Sequence, residues 1–598
     1  MSKIPQNPFH DPALPSAYEE LCRGRLRWDL LYSFPEQRPA DRAIGDDAVA
    51  EIRRFLAERL DPEALDATRT LPGGFVEALR SAGYLNLLTA PDLGGRGFSL
   101  YNAFRVVTAA AAHSVPVAMI MAAQAALGVD AYLEAIPPGP LREFVRRHVE
   151  AGSVSGTADT EPMGAANQRR WTTAEPTEDG AAFLLSGEKV YIGNGPIAGV
   201  LAVSATVREG DRDAIRIFFV DTSSPGFRVK SWIEFMGLKG FPNGALTLDR
   251  VRVPRERMLV EEPGFRLTRS LGAAIVRGRM YLITAPSLAI SRRCLDFARD
   301  FVRRRAVDGL QLGGYEIIQR MLATSLADAF AIEAVAEWCL LASADREVNL
   351  ESDRVVAKNV GSVACWRVVE NTMALLAAEG FETAASKARR GARPLPMERL
   401  FRDARGLRIS GGVDFQMDNW TAQLMLFPAH YAPPADDAEP PASREALARL
   451  RAALSPANRA HLRFVQEWTA RLARRCGDLA RRHDSAELYR RDGLLIALGA
   501  RRQRAVLHEP GARPGAATRA AARRRRRAGA GRRVLPRRPR PPRGDVAGRA
   551  PRARARAPAR ERPLAGERRA LRRTGTGARR PPRGPRAGGS LTPGRERT

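Results

Sequence analysis

The chain has 598 residues, and 44% of them are apolar, which is enough to bury several hydrophobic cores. Its formal net charge of +30 is concentrated at one end, because residues 501–598 hold 32 arginines and 5 acidic residues. The preceding residues carry a net charge of only +3, which excludes a strongly basic, nucleic-acid-binding body.

The cysteines and the apolar segments indicate where the protein resides. Five cysteines are scattered without paired spacing and mostly fall in apolar helical patterns, so they are expected to be reduced core residues of a cytoplasmic protein. The N-terminal residues contain no apolar segment typical of a signal peptide. The longest apolar stretch, residues 106–129, is interrupted by His113, Ser114, Pro116 and Gln124, which favours two buried helices over a membrane span.

Helical spacing dominates the first part of the chain. Residues 1–45 form an N-terminal extension, and residues 46–152 are predicted to form an all-helical domain, with apolar stripes such as the one that begins at Val49 and Ile52. The glycine-rich stretch 90–98 lacks a preceding strand and the spacing of phosphate-binding loops. It is therefore predicted to be a structural turn.

The apolar period changes toward two between residues 153 and 257. Runs rich in β-branched residues, such as Ile215-Arg-Ile-Phe-Phe-Val220, alternate there with turn residues such as Pro225-Gly226. Short strands at regular spacing predict a small middle β domain, an antiparallel barrel or sandwich.

Helical spacing returns over residues 258–427, where three long apolar stripes predict a four-helix bundle. A proline-rich linker is predicted over residues 428–442 and an extra helical segment over residues 443–500. The chain as a whole is thus predicted to have an α+β fold, with helical N- and C-terminal domains on either side of the β domain.

The C-terminal residues 501–598 consist mostly of Arg, Ala, Pro and Gly, and this composition predicts disorder. Two explanations are open: a basic arm for nucleic acid or anionic lipid, or an out-of-frame reading of a high-GC gene. The abrupt end of the apolar run 494–500 and the use of 90 Arg against 6 Lys favour the second. The tail also lacks aromatic residues that could stack on bases, so no nucleic-acid partner is predicted.

Five segments resemble motifs of the acyl-CoA dehydrogenase family, in family order over about residues 45–425. These segments are the turn Leu85 to Ser99, the flavin loop Thr160-Glu-Pro-Met-Gly164, the strand and turn Gly187 to Gly195, the hairpin Met236 to Pro254, and the helix Arg399-Leu-Phe-Arg-Asp-Ala404. The resemblance implies the fold described above. It also implies a flavoprotein oxidoreductase of fatty acid metabolism that acts on the CH–CH group of an acyl thioester.

The resemblance implies FAD as the cofactor. By position in the matching motifs, Thr160, Tyr191 and Gly412 would bind FAD, and Tyr191 replaces the tryptophan that packs against the flavin in the family. Arg305 would reach the FAD of a neighbouring subunit, and Arg279 would contact the substrate.

Some matched positions depart from the family pattern. Gly193 stands where the family has a threonine that donates toward the flavin. Ala377 and Ala378 replace two glycines near the FAD pyrophosphate, where glycine allows the backbone to approach a phosphate closely.

The largest departure concerns the catalytic base. Gly411 occupies the position of the family glutamate that removes the α-proton of the substrate. Some family members take the base from a second position, which here falls in Val276-Arg-Gly-Arg-Met280, also without a carboxylate. Asp414 is a candidate because it follows Gly411 closely, although a helix-capping role is favoured for it. The base is therefore unassigned.

Three functions remain open at this point. The first is an FAD-dependent α,β-dehydrogenation of an acyl thioester with a displaced or missing carboxylate. The alternatives are a flavin-dependent monooxygenase on the same fold and a non-catalytic family member. Expected partners are an acyl-CoA or acyl-carrier-protein thioester, an electron-transfer flavoprotein or oxygen as electron acceptor, and further copies of the chain in a homodimer or homotetramer. No metal site is predicted.

Overall fold

A computed structural model describes residues 7, 9–11, 13–133, 135–167, 169–260, 269–342, 347–432 and 439–508. The tail predicted to be disordered lies outside the described residues from residue 509 onward. The last helix, Asp492–His508, continues past the predicted boundary at residue 500. That boundary is therefore wrong, because the Arg and Ala residues that follow it still favour a helix.

Among the described residues, the N-terminal part of the protein contains eight α-helices. They are α1 (Ala17–Cys22), α2 (Trp28–Leu31), α3 (Pro39–Arg59), α4 (Pro62–Thr68), α5 (Phe75–Ser81), α6 (Leu100–His113), α7 (Val115–Leu127) and α8 (Pro140–Glu150). The side chain of Ser99 accepts a hydrogen bond from the backbone N–H of Asn102 and so caps α6. By length and composition, Val115–Tyr132 is the one stretch of the described chain that could cross a membrane, and 83% of it is buried inside the protein.

The middle domain is an eight-stranded mixed sheet. Its strands are β1 (Ser155–Ala158), β2 (Thr173–Pro176), β3 (Ala182–Gly193), β4 (Val200–Glu209), β5 (Arg212–Asp221), β6 (Phe227–Trp232), β7 (Asn243–Pro254) and β8 (Met258–Leu259). The strand order is β6-β7-β3-β2-β4-β5-β8, and β1 pairs with β4. β1 and β2 both run parallel to β4, so the prediction of an antiparallel domain is wrong for these pairs, because the spacing of apolar residues does not report the direction of a strand.

The register of β3 against β7 matters for the site. The two strands are antiparallel, from Ala182 opposite Pro254 to Gly193 opposite Asn243, and the register shifts between Lys189 and Ile192. Such a bulge leaves residues without a cross-strand partner and redirects their side chains. Tyr191 lies in this bulge.

The bundle is built from long helices with short connections. Its elements are α9 (Arg269–Arg279), α10 (Ala285–Arg304), β9 (Ala306–Val307), β10 (Leu310–Gln311), α11 (Glu316–Leu341), α12 (Glu351–Leu376), α13 (Ala378–Phe381), α14 (Ala384–Arg389), α15 (Met397–Leu407), α16 (Asp414–Thr421) and α17 (Pro428–Tyr431). A π-helical turn, Met280–Thr284, joins α9 to α10. Helices α10, α11 and α12 pack together, and α6 and α7 share their hydrophobic core.

The C-terminal helices are α18 (Pro441–Ala453), α19 (Pro456–Arg482), α20 (Ser485–Leu488) and α21 (Asp492–His508). They pack on the bundle, since Asn419 of α16 donates a hydrogen bond of 2.9 Å to Asp492. They also pack on the N-terminal extension, because the Ser443 hydroxyl accepts from the N–H of Trp28 and donates to the carbonyl of Leu26. The extra segment is therefore part of the folded body, and α17 lies in the range predicted as a linker, of which residues 433–438 lie outside the described residues.

Candidate active site

Tyr191 presents an aromatic ring at the end of β3. Its backbone has a φ of +60°, a left-handed conformation that is uncommon for a residue with a bulky side chain. The side chain is 59% exposed, and the ring lies 6.3 Å from that of Phe235 with an angle of 28° between the planes. The bulge in β3 thus turns a large aromatic residue outward and supports it against a second ring.

The loop that carries Thr160 is anchored by two buried ion pairs. Lys189 Nζ lies 2.8 Å from the Glu161 carboxylate, and Arg170 lies 2.8 Å from Asp159. Thr160 is half-buried between the two acids, and its carbonyl accepts a hydrogen bond from Val190. The structure therefore places Thr160 and Tyr191, which the sequence motifs identified, on adjacent segments that ion pairs and a hydrogen bond hold in place.

Glu161 is the centre of this anchor. Besides Lys189, its carboxylate accepts hydrogen bonds from the backbone N–H groups of Trp171 and Thr172, at 2.7 and 2.9 Å. Burial is the largest single influence on Glu161 and opposes its ionisation, but the hydrogen bond and charge of Lys189 and the hydrogen bonds from Thr172 together hold the pKa of this carboxyl below its usual value. Sequence reasoning did not assign Glu161 or Lys189, although both belong to the quoted motifs.

Gly193 shows why the family's threonine is absent from this chain. A Cβ at this position would lie 2.8 Å from the Phe241 ring, which is too close for any larger residue without a shift of that ring. The next residue, Asn194, donates a hydrogen bond of 3.2 Å to the carbonyl of Ile120 in α7. The end of β3 therefore rests on α7, and α7 in turn packs against α9.

Arg279 ends α9 and is buried, with 9% of its surface exposed. Its Nε donates a hydrogen bond of 3.1 Å to the carbonyl of Gly411, and its Nη2 lies 3.6 Å from the sulfur of Met417. Within the described part of the chain, Nη1 has no hydrogen-bond partner. Burial lowers the pKa of Arg279 to about 10. The structure thus brings together two of the predicted site residues, Arg279 and Gly411.

Lys358 holds the loop that contains Gly411 and Gly412. Its Nζ lies in the core and donates to the carbonyl oxygens of Gly412 and Arg408 and to the side-chain oxygen of Asn359. Burial, together with the charge of Arg279, lowers the pKa of Lys358 to about 7. Sequence reasoning missed this residue, and the signal that could have found it is a single lysine within the apolar stripe of α12.

Asp414 is bound by neighbouring groups. Arg408 donates to its carboxylate from Nε at 2.8 Å and also from Nη2. The other carboxylate oxygen accepts a hydrogen bond of 2.9 Å from the N–H of Phe415, in the first turn of α16. These contacts indicate that Asp414 stabilises the start of α16.

Two predicted FAD positions lie together at the far end of the bundle. Arg305 is exposed directly after α10, and Ala377 is exposed directly after α12. An ion pair between Arg304 and Glu379 joins these two helix ends. Because α12 rises ~1.5 Å per residue, Ala377 lies roughly 28 Å along the helix from Lys358. Arg305 therefore lies away from the loop of Gly411 in the same chain.

Ala377 itself is strained. Its φ of +50° and ψ of −131° form a conformation that glycine normally takes. The family has glycine here, so the backbone keeps the glycine conformation although the side chain has changed. Among the described residues, no group of His, Cys, Asp and Glu side chains could hold a metal ion.

Comparisons with known proteins match three domains in the order of the chain. Acyl-CoA dehydrogenase N-terminal, middle and C-terminal domains match residues 46–135, 156–251 and 269–424, respectively. A protein of Mycobacterium tuberculosis named probable acyl-CoA dehydrogenase FadE10 is 29% identical over 402 residues, which are 67% of this chain and 61% of that protein. The chain thus spans about three fifths of the length of this relative.

Solved structures share the fold. A glutaryl-CoA dehydrogenase from Mycobacterium smegmatis in complex with FADH2 has a TM-score of 0.54 and 20% identity, over 64% of this chain and 93% of that chain. The prolyl acyl carrier protein oxidase AnaB has a TM-score of 0.56 and 17% identity, over 65% of this chain and 99% of that chain. At these identities, the likeness establishes the fold alone.

Proposed function

The chain belongs to the acyl-CoA dehydrogenase family, and from this premise we propose that it is an FAD-dependent oxidoreductase that dehydrogenates the Cα–Cβ bond of an acyl thioester. The observation that carries the proposal is the outward-turned ring of Tyr191 beside the rigidly held loop of Thr160. An exposed aromatic face on a fixed support is suited to pack against a planar ring system.

The residues present fit FAD at two places. At the end of β3, Tyr191 offers an aromatic face, and the backbone of the Thr160 loop is fixed by Glu161 and Lys189. At the end of α12, the exposed Ala377 keeps a glycine-like backbone next to Arg305, which suits the approach of a phosphate. Gly193 supplies one side-chain donor fewer than the family pattern, so we expect weaker FAD binding than is usual for the family.

Bound FAD would supply the acceptor for the hydride that leaves Cβ of the substrate. The chain's own residues prepare the substrate for loss of the α-proton. Arg279 and Lys358 place positive charge beside the loop of Gly411, and positive charge favours the deprotonated form of a nearby carbon acid. Gly411 itself offers no group that could accept the proton.

We propose that the family's base at position 411 has no substitute of equal strength in this chain. Asp414 is held by Arg408 and by the first turn of α16, so its carboxylate is committed to these contacts. Proton removal from an ordinary, uncharged acyl thioester should therefore be slow, since a positioned base contributes roughly 10²- to 10⁴-fold to such steps.

A flavin-dependent monooxygenase on the same fold is the second candidate function. The absence of a side chain at Gly411 and the committed carboxylate of Asp414 favour it, because this chemistry needs no base at that position. A thioester could still lie in the same crevice, with oxygen as the acceptor of electrons.

We further propose the partners and the location. The thioester carrier is coenzyme A or an acyl carrier protein, and the electron acceptor is an electron-transfer flavoprotein or oxygen. Exposed apolar side chains, such as Ile317 and Leu326 on α11 and Phe381 at the end of α13, suit an interface in a homodimer or homotetramer. All five cysteines are buried, as expected of core residues in a cytoplasmic protein.

The flavin spectrum of the full-length protein tests the proposed function. We expect the purified chain, or the chain incubated with FAD, to show flavin absorbance, and anaerobic butyryl-CoA to bleach it slowly. Retained flavin without bleaching, followed by rapid oxygen consumption on reduction, would favour the monooxygenase. Protein that stays colourless in the presence of FAD would overturn both candidates.

A further inference from the structure

The guanidinium of Arg279 is incompletely satisfied. One nitrogen donates to a backbone carbonyl and another contacts a thioether sulfur, which is a weak acceptor. The third, Nη1, is buried without a partner among the described residues. Since its pKa of about 10 keeps Arg279 charged at neutral pH, a buried positive charge remains without a counter-ion.

The surrounding charges do not supply that counter-ion. Arg408 is paired with Asp414, and Lys358 is surrounded by oxygen acceptors, with the charges of Asp414 and Asp418 nearby. A buried charge without a partner is strongly unfavourable, whereas a guanidinium and a carboxylate form strong, directional pairs. Within the described part of the chain, no carboxylate therefore balances the charge of Arg279.

Gly411 leaves room for a negatively charged group beside Arg279. This residue is exposed, and its φ is +69°. A Cβ built on Gly411 would lie 3.6 Å from Cγ of Arg279, 3.8 Å from Cγ1 of Ile283 and 3.9 Å from Nε of Arg279, which are ordinary contact distances. The space that a side chain at position 411 would enter is thus open and borders the unpaired guanidinium.

We propose that Arg279 binds a carboxylate that enters the space beside Gly411, and that this carboxylate belongs to the acyl group of the substrate. The preferred substrate would then be the thioester of a short dicarboxylic acid. The assignment of the carboxylate to a thioester rests on the proposed function. A free small carboxylate, such as acetate, offers the same chemistry from another source.

The binding of two matched thioesters tests this proposal on the full-length protein. Succinyl-CoA and butyryl-CoA differ by a carboxylate in place of a methyl group, and calorimetry gives their dissociation constants. We expect wild-type protein to bind succinyl-CoA at least ~10-fold more tightly, as charge-assisted hydrogen bonds allow. Arg279→Gln should remove the preference because the guanidinium is lost.

Gly411→Glu gives a second, independent variant. Its own carboxylate should pair with Arg279 and exclude that of the substrate, so the preference for succinyl-CoA should disappear. Ser410→Glu is the matched control, because it adds the same charge to the neighbouring residue and should keep the preference. If Arg279→Gln does not fold, the comparison of these two variants decides the test, and a preference that survives in Gly411→Glu overturns the proposal.

Acetate distinguishes a free anion from the substrate as the source of the carboxylate. It also distinguishes failure of the carboxylate site from failure of the proposed function. Thermal stabilisation by acetate that depends on Arg279, without a preference for succinyl-CoA, would overturn the substrate as the source of the carboxylate. Equal binding of both thioesters with no effect of acetate would overturn the carboxylate site while the proposed function stands. If neither thioester binds, the thioester of a short dicarboxylic acid on coenzyme A is overturned as the substrate, whereas the flavin spectrum still tests the oxidoreductase function separately. An effect of acetate would then show only a site for free anions.

Discussion

Ala377 is the clearest case of local strain in the protein. Its side chain must tolerate a φ of +50° and a ψ of −131° at the turn between α12 and α13. Strain of this kind persists only where the surrounding structure enforces it, and it occurs often at ligand sites. The ion pair between Arg304 and Glu379 beside this turn is one such constraint.

Replacing Ala377 by glycine should relieve this strain. We expect Ala377→Gly to stabilise the protein by about 1 kcal/mol, since the relief of strain exceeds the added flexibility of the unfolded chain. The free energy of unfolding in urea measures the effect. Ala378→Gly is the matched control, because this neighbour is the first residue of α13 and should lose stability instead. A loss of stability in Ala377→Gly would show that the turn is not strained.

The residues of the site differ in how far the sequence could predict them. Tyr191, Arg279 and Gly411 were identified from their positions in sequence motifs, because each motif is a short local pattern of residues. The role of Lys358 could not be found in this way, because two of its three acceptors, the carbonyl oxygens of Arg408 and Gly412, lie about 50 residues further along the chain. The unpaired state of Arg279 likewise depends on burial that only the packed helices create.

Helix α15 joins the bundle to the β domain. The buried carboxylate of Asp403 accepts a hydrogen bond of 2.6 Å from the N–H of Leu238, in the loop that precedes β7. Nearby, Arg402 binds Asp66 of the N-terminal domain. A cavity of about 220 Å³ at this junction is lined by Asp403 together with Asp66 and Lys239. One helix thus connects all three domains through buried or half-buried charges.

Asp403 should give this junction a specific dependence on pH. Burial raises the pKa of Asp403 from 3.8 to about 6. A carboxyl with a raised folded-state pKa contributes stability that is present below its unfolded pKa and is lost as the pH rises through the folded value. Asp403→Asn keeps the shape and the acceptor but removes the titration. The stability of wild-type protein relative to this variant should therefore fall by about 2 kcal/mol between about pH 4 and pH 7.

Unfolding curves at both pH values check this expectation. Asp300→Asn is the control, because Asp300 is 43% exposed in its ion pair with Arg393 and should show little change. A constant difference between wild type and Asp403→Asn across the pH range would mean that Asp403 does not titrate there.

At the level of elements, the spacing of apolar residues predicted whether each region is helical or forms a sheet. The confirmed fold class has helical N- and C-terminal domains and a central sheet. The pairing of β1 with β4 in parallel could not be predicted, because it depends on contacts between residues about 45 positions apart. The bulge at Tyr191 could also not be predicted from the sequence, since the alternation of apolar and polar residues along β3 does not indicate a shift in register.

In the whole molecule, the N-terminal extension and the C-terminal helices pack on one another. Gly24, with a φ of +86°, lies so close to α19 that a Cβ would stand 2.5 Å from the Cβ of Ala473. Cys22 and Cys476 are buried close to this contact. The sequence suggested two separate appendages, because no local pattern shows that segments about 450 residues apart will meet.

Gly24→Ala should weaken this packing. The added methyl group meets Ala473, and we expect a loss of about 2 kcal/mol and a roughly 5- to 30-fold faster chemical modification of Cys22. Labelling with a thiol reagent, followed by mass spectrometry of the peptides, measures the rate. Gly74→Ala is the control, since Gly74 has a similar φ of +72° but nothing within 4 Å of its Cβ position. An unchanged rate for Cys22 in Gly24→Ala would contradict the packing.

The function of the whole molecule depends on position 411, and one measurement tests this most directly. It compares the anaerobic reduction of bound FAD by butyryl-CoA in wild-type protein and in Gly411→Glu. Because a Cβ at position 411 would meet its neighbours only at ordinary contact distances and a glutamate there restores the carboxylate of the family's base, we expect the variant to reduce the flavin roughly 10²- to 10⁴-fold faster. Equal rates in the two proteins would contradict this, since they would show that a base elsewhere already removes the α-proton.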